Sequence, residues 1–354
     1  MPNAIIATPT RNPNILVPIG VRPHVVKGLC LARQAETSPV NLSYFVTGQQ
    51  SNVINRLLSV DQADFLNRHV IAASGTFSYS ITANLISNLV KENGYNAVLS
   101  IGDTKTSLCA AIGAKFAGVP LIHYESGLRG AELTIEERIR RKIDRMSSYH
   151  LCYNIEAAEN LISEGISPLL IKVVGSLYEE SLGRSLAAHS NYDHRYDDVL
   201  IVSLHRKENH LNSATAKAIA EAISSSQDNI VFIRHPSNND GMVSVLSKSP
   251  YFWKIENEFS ASDFAHLLMS ARAVITDSAG IAEQSSLLSK PTVLLRSSTE
   301  RPWLLGPTTK STSVERLAET MLSVMGSPAG YSKLRLNTNV SANILAAIGM
   351  FLRV

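Results

Sequence analysis

Cysteine is scarce in this chain of 354 residues: only Cys30, Cys109 and Cys152. They are odd in number, far apart and set in apolar runs, which argues against a disulfide framework or a metal site. Small buried thiols in a reducing compartment are the simpler reading. An excess of charge of one sign is also missing. Lys and Arg number 33 against 30 Asp and Glu, a net +3, and no run of five like charges occurs. That balance argues against a nucleic-acid binder working through a basic face or tail. No apolar run approaches the ~18 residues of a membrane span. The start, Met1-Pro2-Asn3-Ala4-Ile5-Ile6-Ala7, has neither a basic region nor a long apolar one, so no signal peptide is expected. Short-period repeats and low-complexity segments are lacking too. Together these absences fit a cytoplasmic chain.

What is present is an α/β rhythm. Hydrophobic residues make up 45% and charged ones 18%, ordinary for a globular protein. The length exceeds one ordinary core, so two domains are the default. Short apolar runs at 14–19, 42–47, 97–102, 121–124, 149–153 and 170–174 read as strands, and 23–35, 104–116 and 155–164 as helices between them. The stretch 185–198 is polar and irregular and reads as a hinge. The rhythm then restarts, with strands at 199–204, 230–234, 273–276 and 292–296 and helices at 213–225, 260–271, 281–289 and 314–325. Two parallel-sheet halves, 1–180 and 181–340, facing a cleft are the expected outcome.

Carboxylates recur where strands end. Gly102-Asp103-Thr104 sits at a strand-to-helix junction, where Asp103 taken alone reads as a cap of the helix that follows. His123-Tyr124-Glu125-Ser126-Gly127 repeats the layout with no long helix directly after it. Glu136 and Glu137 open a helix rich in i,i+4 ion pairs. Those pairs account for Glu137. Glu136 shares a stripe with Ile139 and Ile143, an inward position costly for a carboxylate unless it is paired or lines a cleft. The second half offers anion binders instead: His205 and Arg206, His235, the small-residue turn Asp277-Ser278-Ala279-Gly280, and Arg301. Gly20 and Arg22 close the first strand, with Lys27 about a turn further on. Parallel α/β sheets bring such strand ends to one crevice.

As an ordered set, these motifs resemble the non-hydrolysing UDP-N-acetylglucosamine 2-epimerases from about Asn14 to about Pro302. The set includes Gly20-Val21-Arg22-Pro23, Gly102-Asp103-Thr104, the run from His123 to Arg129, Glu136-Glu137, the run from His205 to Asn209, the run from Thr276 to Gly280, and Thr299-Glu300-Arg301-Pro302. The resemblance implies the GT-B architecture, two Rossmann-like domains, with a last helix near 342–352 (the 341–354 segment) returning to the first. It implies catalytic carboxylates at Asp103, Glu125 and Glu136 and a catalytic-cleft histidine at His205. It also implies UDP-sugar contacts at Arg22, Lys27, Arg129, His235, Ser278, Ala279, Gly280, Glu283, Gln284 and Arg301. A UDP-sugar substrate, no cofactor, no metal and a homodimer complete the expectation.

The chain departs from the family pattern at several positions. His24 stands where the family has Glu, Gln50 where it has His, and Ile139 where Asn usually follows the paired glutamates. The acidic residue that usually holds the uridine ribose aligns with Gln284, after Glu283. The acid/base set is kept while binding positions change, which implies kept chemistry on a different sugar nucleotide. That chemistry is inversion at C2 of a UDP-linked 2-acetamido sugar through a glycal. A hydrolysing 2-epimerase and a GT-B glycosyltransferase or silent nucleotide-sugar binder are the alternatives.

Overall fold

The computed structural model describes residues 12–50, 70–72, 77–210, 212–226, 228–233, 240–248, 252–255, 259–326 and 336–353. Two compact units emerge from them. The first comprises Met1–Leu128, Leu133–Leu177 and Asn339–Val354; the second comprises Arg129–Glu132 and Tyr178–Thr338. The chain therefore changes unit at Leu177/Tyr178, ahead of the polar stretch 185–198 that reads as a hinge, and the short Arg129–Glu132 segment belongs with the second unit.

The first unit is built on a parallel sheet of seven strands: β1 (Asn14–Ile19), β2 (Asn41–Val46), β3 (Val70–Ala72), β4 (Ala97–Ile101), β5 (Leu121–Tyr124), β6 (Tyr149–Cys152) and β7 (Ile171–Val173). Their spatial order is β3-β2-β1-β4-β5-β6-β7. The order reverses between β1 and β4, whose register sets Ile15 beside Ala97 and Leu16 beside Val98. Along β1, Ile15, Val17 and Ile19 enter one apolar cluster and Leu16 enters another. A strand apolar on both faces needs cover on both, which is why the runs read as unbroken rather than alternating. Helices α1 (Arg22–Ala35), α2 (Tyr79–Asn93), α3 (Lys105–Ala117), α4 (Ile135–Met146) and α5 (Ile155–Ser163) follow the strands, and α6 (Leu177–Ala187) carries the chain on into the second unit.

The second unit repeats the plan with six parallel strands: β8 (Leu200–Ser203), β9 (Ile230–Ile233), β10 (Phe252–Ile255), β11 (Ala273–Thr276), β12 (Thr292–Leu295) and β13 (Thr309–Thr312), in the order β10-β9-β8-β11-β12-β13. Its helices are α7 (Lys207–His210), α8 (Ser213–Ser224), α9 (Asp240–Leu246), α10 (Ala261–Ser270), α11 (Ala279–Leu287) and α12 (Leu317–Met325). Here Leu200 and Val202 join one cluster, Ile201 the other. The last helix, α13 (Val340–Phe351), belongs to the first unit. Val340, Ile344, Leu345 and Ile348 are buried in the cluster that also holds Leu31 of α1, and Phe351 stacks on Tyr149 at 4.6 Å between ring centroids.

Three strands that the apolar runs do not announce, β3, β10 and β13, all lie at sheet edges. Edge strands are short and need less apolar content, as the Thr-Lys-Ser-Thr of β13 shows. Helix α2 escapes the pattern for another reason. Its buried residues include Thr82, Ala83 and Ser87, while Ile81 and Leu85 face solvent, so its apolar periodicity is blurred.

Candidate functional site

In the first unit, the turns after β1, β4, β5 and β6 gather charged groups at the carboxyl edge of the sheet. Glu125, directly after β5, is 5% exposed and has φ +72°. That left-handed conformation is uncommon for a residue with a side chain and recurs at functional sites. Its Oε1 accepts from Lys27 Nζ at 2.5 Å and from Tyr153 Oη at 2.5 Å. Gly102, at φ +67°, fits against the same carboxylate; a Cβ there would stand 2.6 Å from Glu125 Oε2. Lys27 is thus paired with a carboxylate of its own unit, where the sequence pattern aims it at an anion.

Asp103 does not cap α3. Thr104 does, its hydroxyl accepting from Ser107 N at 3.2 Å. Asp103 instead takes an ion pair from Arg140 Nη2 of α4. Arg140 is buried and also reaches Glu137 at 2.6 Å and Leu128 O at 3.2 Å. His24, in the first turn of α1, is buried. Its Nδ1 accepts from Gly20 N at 3.3 Å and its Nε2 faces Thr104 Oγ1 at 3.5 Å. Burial, reinforced by the Lys27 ammonium and only partly opposed by Glu125 and Asp103, pushes the imidazole down to about 3, so His24 is neutral. Arg22, the first residue of α1, is half-buried.

Below this edge lies a buried polar network. His123 Nδ1 meets Asp144 Oδ1 at 2.6 Å and its Nε2 meets Gly102 O at 2.9 Å. Ser126 Oγ donates to the same Asp144 oxygen at 2.5 Å, and Gly127 N reaches Asp144 Oδ2 at 3.3 Å. The network ties α4, β5 and the turn carrying Asp103 together.

The phase of α4 corrects one expectation. Glu136 is exposed, and the inward stripe is Glu137, Arg140 and Asp144, with Ile143 beside them. Stripes one residue apart are both compatible with helical spacing. Apolar Ile139 and Ile143 single out the stripe through Glu136, whereas the buried one is charged and internally paired. Glu137 accepts from Arg140 at 2.6 Å and Arg141 at 2.8 Å. Glu136 stands in the first turn of the helix, one residue from this cluster but turned outward.

In the second unit the groups are held differently. Asp277, after β11, is 1% exposed and accepts from His205 N at 3.0 Å, Arg206 N at 2.9 Å and Asn209 Nδ2 at 2.8 Å; His205 Nδ1 also faces it at 2.9 Å. Burial opposes its ionisation, but the hydrogen bonds and charge of His205, then Asn209 and the Arg206 amide, outweigh that and hold the carboxyl below its ordinary range. The His205 side chain, 40% exposed, is oriented through Nδ1. Ser278 caps α11, its Oγ accepting from Ile281 N at 3.5 Å. Ala279 and Gly280 supply the first helical amides, which by geometry lack intrahelical acceptors. Arg301 is buried and ion-paired with Glu283, its guanidinium 5.5 Å from the Tyr178 ring centroid, and Tyr178 Oη lies against Gly280. Gln284, half-buried, reaches Gly280 O at 3.5 Å. Arg129 is half-buried on the segment that joins this unit. His235 lies outside the described residues.

The structure thus groups Lys27, Asp103 and Glu125 in one unit and His205, Ser278, Ala279, Gly280, Glu283 and Arg301 in the other. The sequence pattern does not single out Tyr153, Arg140 or Asp144 as site residues, nor Asp277 as the anchor of His205. Their position at or just past strand ends, or on a charged helix stripe, was the available signal. Among the described residues no cluster of His, Cys, Asp and Glu could hold a metal, and no helix is long and apolar enough to cross a membrane.

Two doubly wound parallel units of this order in one chain define an α/β protein of the GT-B type. Solved structures share that fold: the UDP-GlcNAc 2-epimerase of Methanocaldococcus jannaschii in complex with UDP-GlcNAc and UDP (TM-score 0.83, 23% identity, 95% of this chain and 99% of that one), and the Neisseria meningitidis UDP-GlcNAc 2-epimerase bound to UDP-GlcNAc (TM-score 0.77, 22% identity, 95% and 99%). In sequence, the chain is 28% identical over 307 residues to the UDP-N-acetylglucosamine 2-epimerase of M. jannaschii, covering 80% of this chain and 84% of the relative. It is 27% identical over 318 residues to that of Campylobacter jejuni, covering 81% and 82%. The family model for UDP-N-acetylglucosamine 2-epimerase matches residues 33–325. The chain belongs to this family, whose members are isomerases.

Proposed function

We propose that this protein inverts C2 of a UDP-linked 2-acetamido sugar of the UDP-GlcNAc/UDP-ManNAc type by eliminating UDP and adding it back. The observation that carries the reading is the grouping of Asp103 and Glu125 at the ends of adjacent strands β4 and β5, each held by a cation, in a chain of this family.

A sugar C2–H is too weak an acid for a carboxylate until the C1–O bond to the diphosphate begins to break. The departing diphosphate must therefore be stabilised first. Arg22, His205, Arg301 and the amides opening α11 serve that step as preorganised donors. A carboxylate then takes the C2 proton to give a glycal, and a second acid returns a proton to the opposite face as UDP re-adds. Inversion needs proton carriers on two faces, hence more than one of Asp103, Glu125 and Glu136. Lys27 and Tyr153 hold Glu125, and Arg140 holds Asp103, in fixed orientations. Supply of a nucleotide sugar by a homodimer is the setting of this reading.

Incubating the protein with a panel of UDP-sugars in D₂O and following C2 by NMR tests it. Deuterium at C2 together with the epimeric UDP-sugar is the expected result. Free 2-acetamido sugar as the main product selects the hydrolysing reaction instead. Tight UDP-sugar binding with neither exchange nor epimer rejects the proposal in favour of a transferase or a silent binder.

A further inference from the structure

Glu125 is held in a strained backbone conformation, and two donors from distant parts of the chain converge on one of its oxygens. One is the Lys27 ammonium from α1. The other is a neutral phenol, Tyr153, which directly follows β6 and is itself buried at 6% exposure. The phenol has no packing need to end there: its ring already lies 5.3 Å from that of Tyr124, and its neighbour Asn154 caps α5 through Ala157 N at 2.9 Å. Strand end and helix cap thus fix the backbone of Tyr153 on both sides, and the hydroxyl is delivered to Glu125 Oε1 at 2.5 Å. A phenol donating to a carboxylate is a charge-assisted hydrogen bond, and such a bond favours the ionised form.

We propose that Tyr153 is a positioning residue for Glu125, its phenol and the Lys27 ammonium together binding Oε1 so that the carboxylate keeps one orientation and stays ionised, ready to accept a proton. The inference rests on the epimerase reading for what that proton is, but not for the hydrogen bond itself. Charged and titratable groups around Glu125 include Lys27 and His24 from α1, Tyr153 after β6, and Asp103 in the turn after β4. His24 is neutral, whereas Lys27 is a cationic partner.

The test uses the full chain labelled with ¹³C at glutamate carboxyls, with the Glu125 signal assigned by its loss in Glu125→Gln. Three forms are titrated: the parent, Tyr153→Phe, and the protein carrying 3-fluorotyrosine at 153, whose phenol is more acidic and a stronger donor. The midpoint of Glu125 is expected to rise with Phe and fall with fluorotyrosine. A merely structural ring would move it in neither direction, and an unmoved midpoint in both overturns the proposal. In parallel, Tyr153→Phe is expected to lower kcat by about 10- to 100-fold, as loss of an outer partner commonly does, with KM changed by less than about 2-fold. A kcat equal to the parent's also overturns the positioning role. If the parent turns over no UDP-sugar yet the midpoints shift as stated, the hydrogen bond stands and the epimerase reading is what fails.

Discussion

Near the carboxyl ends of β1, β4 and β5 the first unit pairs charges with side chains of opposite sign: buried Lys27 with Glu125, and buried Arg140 with Asp103 and Glu137. At the ends of β8 and β11 the second unit uses one buried carboxylate, Asp277, to gather two backbone amides and an Asn amide, and leaves the His205 ring 40% exposed. The strand orders of the two edges match, 3-2-1-4-5-6 in each, up to the extra β7. The scaffold therefore does not decide the chemistry; the residues placed at the switch point do. Fixed side-chain charges suit proton transfer, where a small displacement is costly. Amides at a helix start and a tethered imidazole suit a large diffuse anion.

The contrast is broken most severely at the proposed proton carriers. Glu125→Gln and Glu136→Gln are each expected to cut turnover by about 10²–10⁴-fold while UDP affinity, read by calorimetry, stays near that of the parent. Near-normal turnover in either variant removes that residue from the scheme. Glu137→Gln sharpens the difference between neighbours on α4. It strips two arginines of their buried partner and is expected to cost on the order of 3 kcal/mol of stability, whereas exposed Glu136→Gln should leave the unfolding curve unchanged. Equal denaturation midpoints for the two variants would mean that the buried stripe is misassigned.

Asp277→Asn probes the other edge. With its anionic acceptor gone, the His205 and Arg206 amides should exchange with deuterium much faster, with a local cost of about 2–3 kcal/mol, while the amides of β4 and β5 stay as protected as before. Acceleration in both units would deny the separation.

The last effect is in pH. His24 ordinarily titrates near 6.5 and is pushed down to about 3 in the folded first unit. The unfolded chain therefore binds a proton that the folded one refuses. Its contribution is fully present above about pH 6.5 and is lost as pH falls toward 3. His24→Gln, which keeps an acceptor for Gly20 N–H, should flatten the acid loss in that window, read by denaturation at a series of pH values.

Much of this organisation is legible along the chain, and the exceptions have causes. Leu121–Tyr124 and Ala273–Thr276 occur where their apolar runs place them, because interior strands of a parallel sheet are covered on both faces. Edge strand β13, Thr-Lys-Ser-Thr, carries too weak an apolar signal, and β3 is only three residues long. Within the site, the location of Asp103 and Glu125 at strand ends is readable, since turns and runs are local. Their partners are not: Lys27 and Glu125 are 98 residues apart, and nothing nearby in sequence marks them as a pair. The phase of α4 misleads for a further reason. Periodicity identifies an inward face by apolar residues, and here that face is made of Glu137, Arg140 and Asp144, tolerated inside only because each meets a partner.

Helix α13 joins a core whose other members were laid down some 160 or more residues earlier, between Ile15 and Leu177. During synthesis, therefore, the amino-terminal unit waits with an uncovered apolar face until α13 leaves the ribosome, and the unit encoded in between is complete before the one that was begun first.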